Sequence, residues 1–61
     1  MKKLICSAST KEELEKMINA YYYSKNYIIT DDMKVYNTKT EKYIDNIVRV
    51  SRGRWRFEMN N

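Results

Sequence analysis

Ile47-Val48-Arg49-Val50-Ser51-Arg52-Gly53-Arg54-Trp55-Arg56-Phe57-Glu58-Met59 is the stretch whose reading decides the fold of this chain. Apolar and polar residues alternate on both sides of Arg52-Gly53, the pattern of two half-buried strands joined by a two-residue turn. With Arg52 and Gly53 as the turn, the expected cross-strand pairs are Ser51 with Arg54, Val50 with Trp55, Arg49 with Arg56, Val48 with Phe57 and Ile47 with Glu58. Successive side chains point to opposite faces of a strand. Val48, Val50, Trp55, Phe57 and Met59 are therefore expected in the core, and Arg49, Ser51, Arg54 and Arg56 on the other face, with Arg52 at the tip.

All four arginines of the chain fall in this hairpin, whereas its eight lysines are spread over positions 2–42. Setting Arg49 opposite Arg56 is unfavourable by about 0.2–1 kcal/mol, because like charges face each other across an antiparallel pair. Folding alone offers no reason for that choice. A guanidinium presents a planar fork of donors that suits carboxylate or phosphate, which makes Arg49, Arg52, Arg54 and Arg56 candidate binding residues for an anionic partner. The competing reading is that alternating charges on the open face keep a small sheet soluble and guard its edges.

Working outward, Ser9-Thr10-Lys11-Glu12-Glu13 reads as a helix start. Thr10 can accept from the backbone amide near Glu13 while the Glu13 side chain reaches back, and Glu12 and Glu13 put negative charge where the helix dipole favours it. Leu14, Met17, Ile18 and Tyr21 follow at the spacing of one buried stripe, so the helix is expected from about Lys11 to Ser24, with Asn26 as a left-handed stop. At about 100° per residue Tyr22 lies on the flank of the stripe and Tyr23 almost opposite it. Three tyrosines in a row cannot all be core. Tyr22 and Tyr23 are candidate interface residues, since tyrosine is enriched where proteins meet; otherwise they wrap over the end of the sheet with their hydroxyls in water.

Ahead of the helix, Lys2-Lys3-Leu4-Ile5-Cys6-Ser7 reads as a first strand with Leu4 and Cys6 sharing a face. Behind it, Tyr27-Ile28-Ile29-Thr30 and Met33-Lys34-Val35-Tyr36 flank an Asp31-Asp32 turn as a short hairpin, and Asn37-Thr38-Lys39-Thr40 is a second turn. Tyr43 and Ile44 are expected to begin the strand that ends at Ser51, with Asp45-Asn46 as a bulge or bend. The order is strand, helix, then three or four strands: an α+β domain over residues 1–61 with one helix packed on a mainly antiparallel sheet. Leu4, Cys6, Leu14, Met17, Ile18, Tyr21, Ile28, Val35, Val48, Val50, Trp55 and Phe57 form the expected core. One helix covers one sheet face, which leaves the arginine face to solvent or a partner.

A chain of 61 residues buries only about 60% of its unfolded surface, so its stability is marginal without help. One cysteine, Cys6, and no histidine exclude an internal disulfide and leave nothing from which to draw a structural zinc site. Self-association is the remaining common solution, and a homodimer is expected. Cys6 has no histidine to lower its pKa, so it reads as a small buried hydrophobe rather than a nucleophile, and neither catalysis nor a cofactor is expected. Asp31-Asp32 reads as a turn rather than an acid-base or metal pair, because adjacent carboxylates in a strand point to opposite sides. No apolar run reaches the length of a secretory core or a membrane span, and a reduced cysteine fits a cytoplasmic protein.

Charge is uneven along the chain. Residues 47–61 set four arginines against Glu58, while residues 12–33 set Lys16 and Lys25 against Glu12, Glu13, Glu15, Asp31 and Asp32. Nucleic acid is the default partner of an arginine-bearing face, through phosphate contacts. Here Trp55 and Phe57 point away from the arginines, whereas sheet-based binders of single strands carry rings and charges together; only Tyr36 or Tyr43 could supply a stacking ring.

Asn, Lys, Ile and Tyr supply 26 of the 61 residues, the bias of an AT-rich coding genome, against which four arginines stand out. In size, composition and the runs Leu4-Ile5-Cys6-Ser7-Ala8, Glu12-Glu13-Leu14 and Met17-Ile18 with Tyr21-Tyr22-Tyr23, the chain resembles small uncharacterised proteins of Gram-positive phages and prophages. That resemblance implies stoichiometric binding of a host protein or nucleoprotein, inhibition of bacterial defence included. The expected function is a non-enzymatic binding protein using its arginine face, with direct nucleic-acid binding as the alternative.

Overall fold

A computed structural model of the chain describes residues 3–60. Lys2, at the head of the expected first strand, lies outside them. The elements are β1 (Leu4–Ala8), α1 (Lys11–Tyr21), β2 (Tyr27–Ile29), β3 (Val35–Asn37), β4 (Lys42–Tyr43), β5 (Ile47–Ser51) and β6 (Arg54–Glu58). The fold is α+β, with the expected order of strand, helix and strands. The strands form two antiparallel three-stranded sheets, β1-β6-β5 and β2-β3-β4, rather than one. Lys42 and Tyr43 pair with β3 instead of opening β5, and Ile44 N–H donates to Val35 O at 3.0 Å as the chain crosses between sheets.

The β5–β6 hairpin has the register that a turn at Arg52-Gly53 requires, from Ile47 opposite Glu58 to Ser51 opposite Arg54. Both turn residues have positive φ, 53° at Arg52 and 77° at Gly53, the handedness that matches the twist of the flanking strands. Glycine adopts that conformation without strain, while arginine adopts it at a cost. On the other side of β6, β1 pairs from Ala8 opposite Trp55 to Cys6 opposite Phe57, and a bulge at Ile5 then brings Leu4 opposite Glu58.

Thr10 caps the helix, its hydroxyl accepting from Glu13 N–H at 3.2 Å, while the Glu13 carboxylate reaches back to the Ser9 hydroxyl at 3.3 Å. The helix ends three residues before the expected Ser24. Tyr23 N–H donates to Ala20 O and Ser24 N–H to Asn19 O, the paired bonds of a Schellman turn, and Tyr23, not Asn26, takes the left-handed position at φ 51°.

Ala8, Leu14, Ile18, Ile29, Val35, Val48 and Phe57 make the buried core, with Ile5, Cys6, Tyr22, Tyr27, Met33, Ile44 and Trp55 packed around it. Leu4, Met17, Tyr21, Ile28, Val50 and Met59, expected inside, are exposed. For Met17 and Tyr21 the reason lies in the helix rotation. Glu15 and Asn19 face the free edge of β2: Ile29 N–H donates to Glu15 Oε2 at 2.9 Å, Tyr27 N–H to Asn19 Oδ1 at 2.8 Å, and Asn19 Nδ2 to Tyr27 O at 3.0 Å. Two helix side chains thus stand in for a missing neighbour strand and close that edge to other chains. With Glu15 and Asn19 on one flank, the buried line runs Leu14, Ile18, Tyr22, and Met17 and Tyr21 turn outward. In β2, Ile29 opposes Val35 and enters the core, which sends Ile28 to the other face.

Candidate functional site

Three neighbouring strands assemble the polar face of the larger sheet. Its rows, read from β1 through β6 to β5, are Leu4, Glu58, Ile47 at one end and Ser7, Arg56, Arg49 next to it. Arg54 and Ser51 follow, and Arg52 forms the tip. Arg49, Arg54 and Arg56 therefore share the face expected of them, and Trp55 and Phe57 lie on the reverse.

Glu58 changes what this face is. Its carboxylate is only 3% exposed, lodged between Leu4 and Ile47 on the neighbouring strands. Arg56 Nε donates to Oε2 at 3.0 Å and Arg49 Nη2 to the same oxygen at 3.2 Å, with Arg49 Nε 3.1 Å from Oε1. The expectation that folding gives no reason for Arg49 opposite Arg56 is thereby corrected. A buried carboxylate one row away draws both guanidiniums over it and offsets their repulsion. The hydrogen bond from Arg56, joined by that from Arg49 and by both positive charges, holds the Glu58 carboxyl below its ordinary range although burial acts the other way. The signal was present in the sequence: Arg56 and Glu58 are two apart on one strand, and in that register Glu58 is the diagonal neighbour of Arg49.

The remaining arginines fare differently. Arg54 Nη2 donates to Ser7 Oγ at 3.2 Å across β6 and β1. Arg52, at the exposed tip, has no hydrogen-bond or ion-pair partner among the described residues. Of the hairpin's four guanidiniums two thus meet its one carboxylate. The side chains of Arg49 and Arg56 stay 55% and 35% exposed, so the face remains cationic and reachable after its internal pairing.

The tyrosines separate. Tyr22, read as a candidate interface residue, packs inward: its ring meets Phe57 edge-on at 6.3 Å and lies 4.8 Å from both Tyr21 and Tyr27. Burial first, then its neighbours Tyr21, Tyr27 and Cys6, raise its hydroxyl pKa. Tyr23 is 99% exposed, held outward by its left-handed backbone, and the outward Met17 and Tyr21 lie on the helix just before it. In the smaller sheet Tyr36 and Tyr43 stack edge-on at 5.0 Å, with Lys34 Nζ 5.8 Å from the exposed Tyr43 ring. A shallow hollow of about 310 Å³ opens beside it, between Lys34, Tyr43, Asn46, Ile47 and Asn60.

Cys6 is half-buried, and burial raises its thiol pKa, which lowers the fraction of reactive thiolate. Asp31 is exposed and pairs with Lys11 at 3.9 Å, while Asp32 accepts from the Thr30 hydroxyl, a bond that lowers its pKa. Among the described residues no group of carboxylates, cysteine and histidine is placed to hold a metal ion, and no helix is long and apolar enough to cross a membrane. Compared with family models, curated proteins and solved structures, the chain matches none.

Proposed function

We propose that this chain is a non-catalytic binding protein whose arginine-bearing hairpin docks on an acidic surface of a partner protein. The observation that supports this best is the inventory of the larger sheet's polar face: three guanidiniums with a fourth at its tip, one buried carboxylate and, among the described residues, no aromatic ring, since Trp55 and Phe57 occupy the reverse. Such a face offers charge and forked donors but nothing on which a base can stack. Arg52 and Arg54 are the freest of the four and would make the outermost contacts, while Arg49 and Arg56 serve both the fold and the partner. The likeness to small phage and prophage proteins supports a mobile-element origin and stoichiometric action on a host protein or nucleoprotein, inhibition of a defence system included. Self-association, through the outward Met17, Tyr21 and Tyr23, belongs to the same proposal.

A second reading, direct nucleic-acid binding, draws support from the exposed Tyr43 ring with Lys34 beside it. Fluorescence anisotropy separates the two. Labelled polyglutamate and labelled single-stranded DNA are titrated at about 50 mM salt, where phosphate-driven affinity is strong. The expected result is tighter binding of polyglutamate, lost in an Arg52→Ser, Arg54→Ser double variant that leaves the Glu58 pairing intact. Tighter binding of DNA would favour the second reading, and binding of neither would remove both.

A further inference from the structure

The Arg49, Glu58, Arg56 arrangement carries more than a general preference for acid. Ser7, Arg56 and Arg49 lie side by side across all three strands of the larger sheet. Glu58 engages Arg56 through Nε and Arg49 through Nε and Nη2, so the terminal Nη1 atoms of both arginines and Nη2 of Arg56 have no partner among the described residues. Arg49 is therefore held at Nε and Nη2 and Arg56 at Nε alone, each with outer donors to spare. At one end of the row the Ser7 hydroxyl already accepts from Arg54, which frees its own hydrogen to donate.

Charge on this row does not balance. One carboxylate serves two guanidiniums, and Arg54 adds a third positive charge two residues along β6. We infer that the Ser7, Arg56, Arg49 row is a binding site for a doubly charged tetrahedral oxyanion, a phosphoryl group, with Glu58 as the positioning residue. This rests on the reading of the arginine face as an anion-docking surface and names the chemistry it prefers. A planar carboxylate fills one fork. A phosphate monoester presents three terminal oxygens, enough to bridge both guanidiniums and the serine hydroxyl, and its second charge offsets the excess that Glu58 leaves. Holding both guanidiniums in advance lowers the entropy lost on binding.

The test uses inorganic phosphate as probe and the arginine Nε–H NMR signals as readout. At pH 8, where phosphate is a dianion, the Arg49 and Arg56 signals are expected to shift and saturate, with sulfate acting alike and acetate about tenfold weaker or worse. The variant pair Arg49→Lys and Arg56→Lys keeps the charge and the pairing with Glu58 but loses the forks. It should weaken phosphate about tenfold and polyglutamate by clearly less, because the outermost polyglutamate contacts fall on Arg52 and Arg54, which are intact. Equal affinity for acetate and phosphate, or a response confined to Arg52 and Arg54, would overturn the inference and leave the docking face standing. Loss of polyglutamate binding in the native protein would remove the face itself. A phosphoserine peptide and oligonucleotides with and without a 5′-phosphate then separate the sources. Preference for the phosphoserine peptide or for the 5′-phosphorylated strand supports the site, and indifference to the terminal phosphates overturns it.

Discussion

Replacing Asn19 by alanine cuts the junction between the helix and the smaller sheet. Its side chain accepts from Tyr27 N–H at 2.8 Å and donates to Tyr27 O at 3.0 Å, so two bonds between elements are lost at about 1 kcal/mol each. Alanine is the better helix former and returns roughly 0.5 kcal/mol, which leaves a net loss of about 1.5 kcal/mol. A domain of 61 residues has a total stability of roughly 3–9 kcal/mol, so this is a substantial share. At about 4–8 °C per kcal/mol for small domains, Tm should fall by roughly 6–12 °C. Asn19→Asp keeps an acceptor but loses the donor, and it sets a carboxylate near the negative end of the helix dipole, so it should cost more than alanine. Urea unfolding followed by Trp55 fluorescence gives the energies, and amide exchange at Tyr27 and Ile29 gives their location. A variant within about 0.5 kcal/mol of wild type, with Tyr27 as well protected as before, would show that these bonds do not hold the two layers together.

Tyr23→Gly should stabilise the chain by about 1 kcal/mol, because glycine takes the left-handed position at the helix end without strain and the exposed ring is lost at no packing cost; an unchanged urea midpoint would contradict that. Glu58 has a lowered pKa in the fold, so the stability it contributes is present above its ordinary value of 4.5 and lost as pH falls through the lower folded value. Glu58→Gln should therefore flatten the acid side of a stability–pH curve, leaving the part due to Asp32, and an unaltered curve would speak against the pairing. Light scattering behind a sizing column should give about twice the 7.4 kDa chain mass at micromolar concentration, and the single-chain mass would end the dimer proposal.

The parts of the fold legible in the sequence are those where local chemistry and tertiary structure agree. Alternation around Arg52-Gly53 fixed the hairpin register to the residue, because a slip by one would have turned Phe57 and Trp55 to solvent. Thr10 and Glu13 marked the helix start for the same reason. The helix end was not legible, since its left-handed residue is a tyrosine rather than the glycine or asparagine that signals such stops. Met33 and Glu41 likewise take positive φ in the turns of the smaller sheet, and strands of two or three residues carry too little alternation to show which of Ile28 and Ile29 faces inward. The helix rotation depends on Glu15 and Asn19 bonding to a β2 backbone far along the chain, information that periodicity does not hold. In the site, the arginine cluster was plain in the sequence. Glu58 is harder to see, because a lone carboxylate at a strand end reads as solvated surface unless its diagonal neighbours across the hairpin are considered.

Whether the arginine hairpin is a docking surface can be asked of the native protein directly. Polyglutamate is titrated in while the arginine Nε–H and lysine signals are followed together. Shifts should appear first at Arg52 and Arg54 and fade at about 1 M salt, where screening reaches roughly 3 Å. Shifts confined to the lysines, with the arginine signals unmoved, would contradict it.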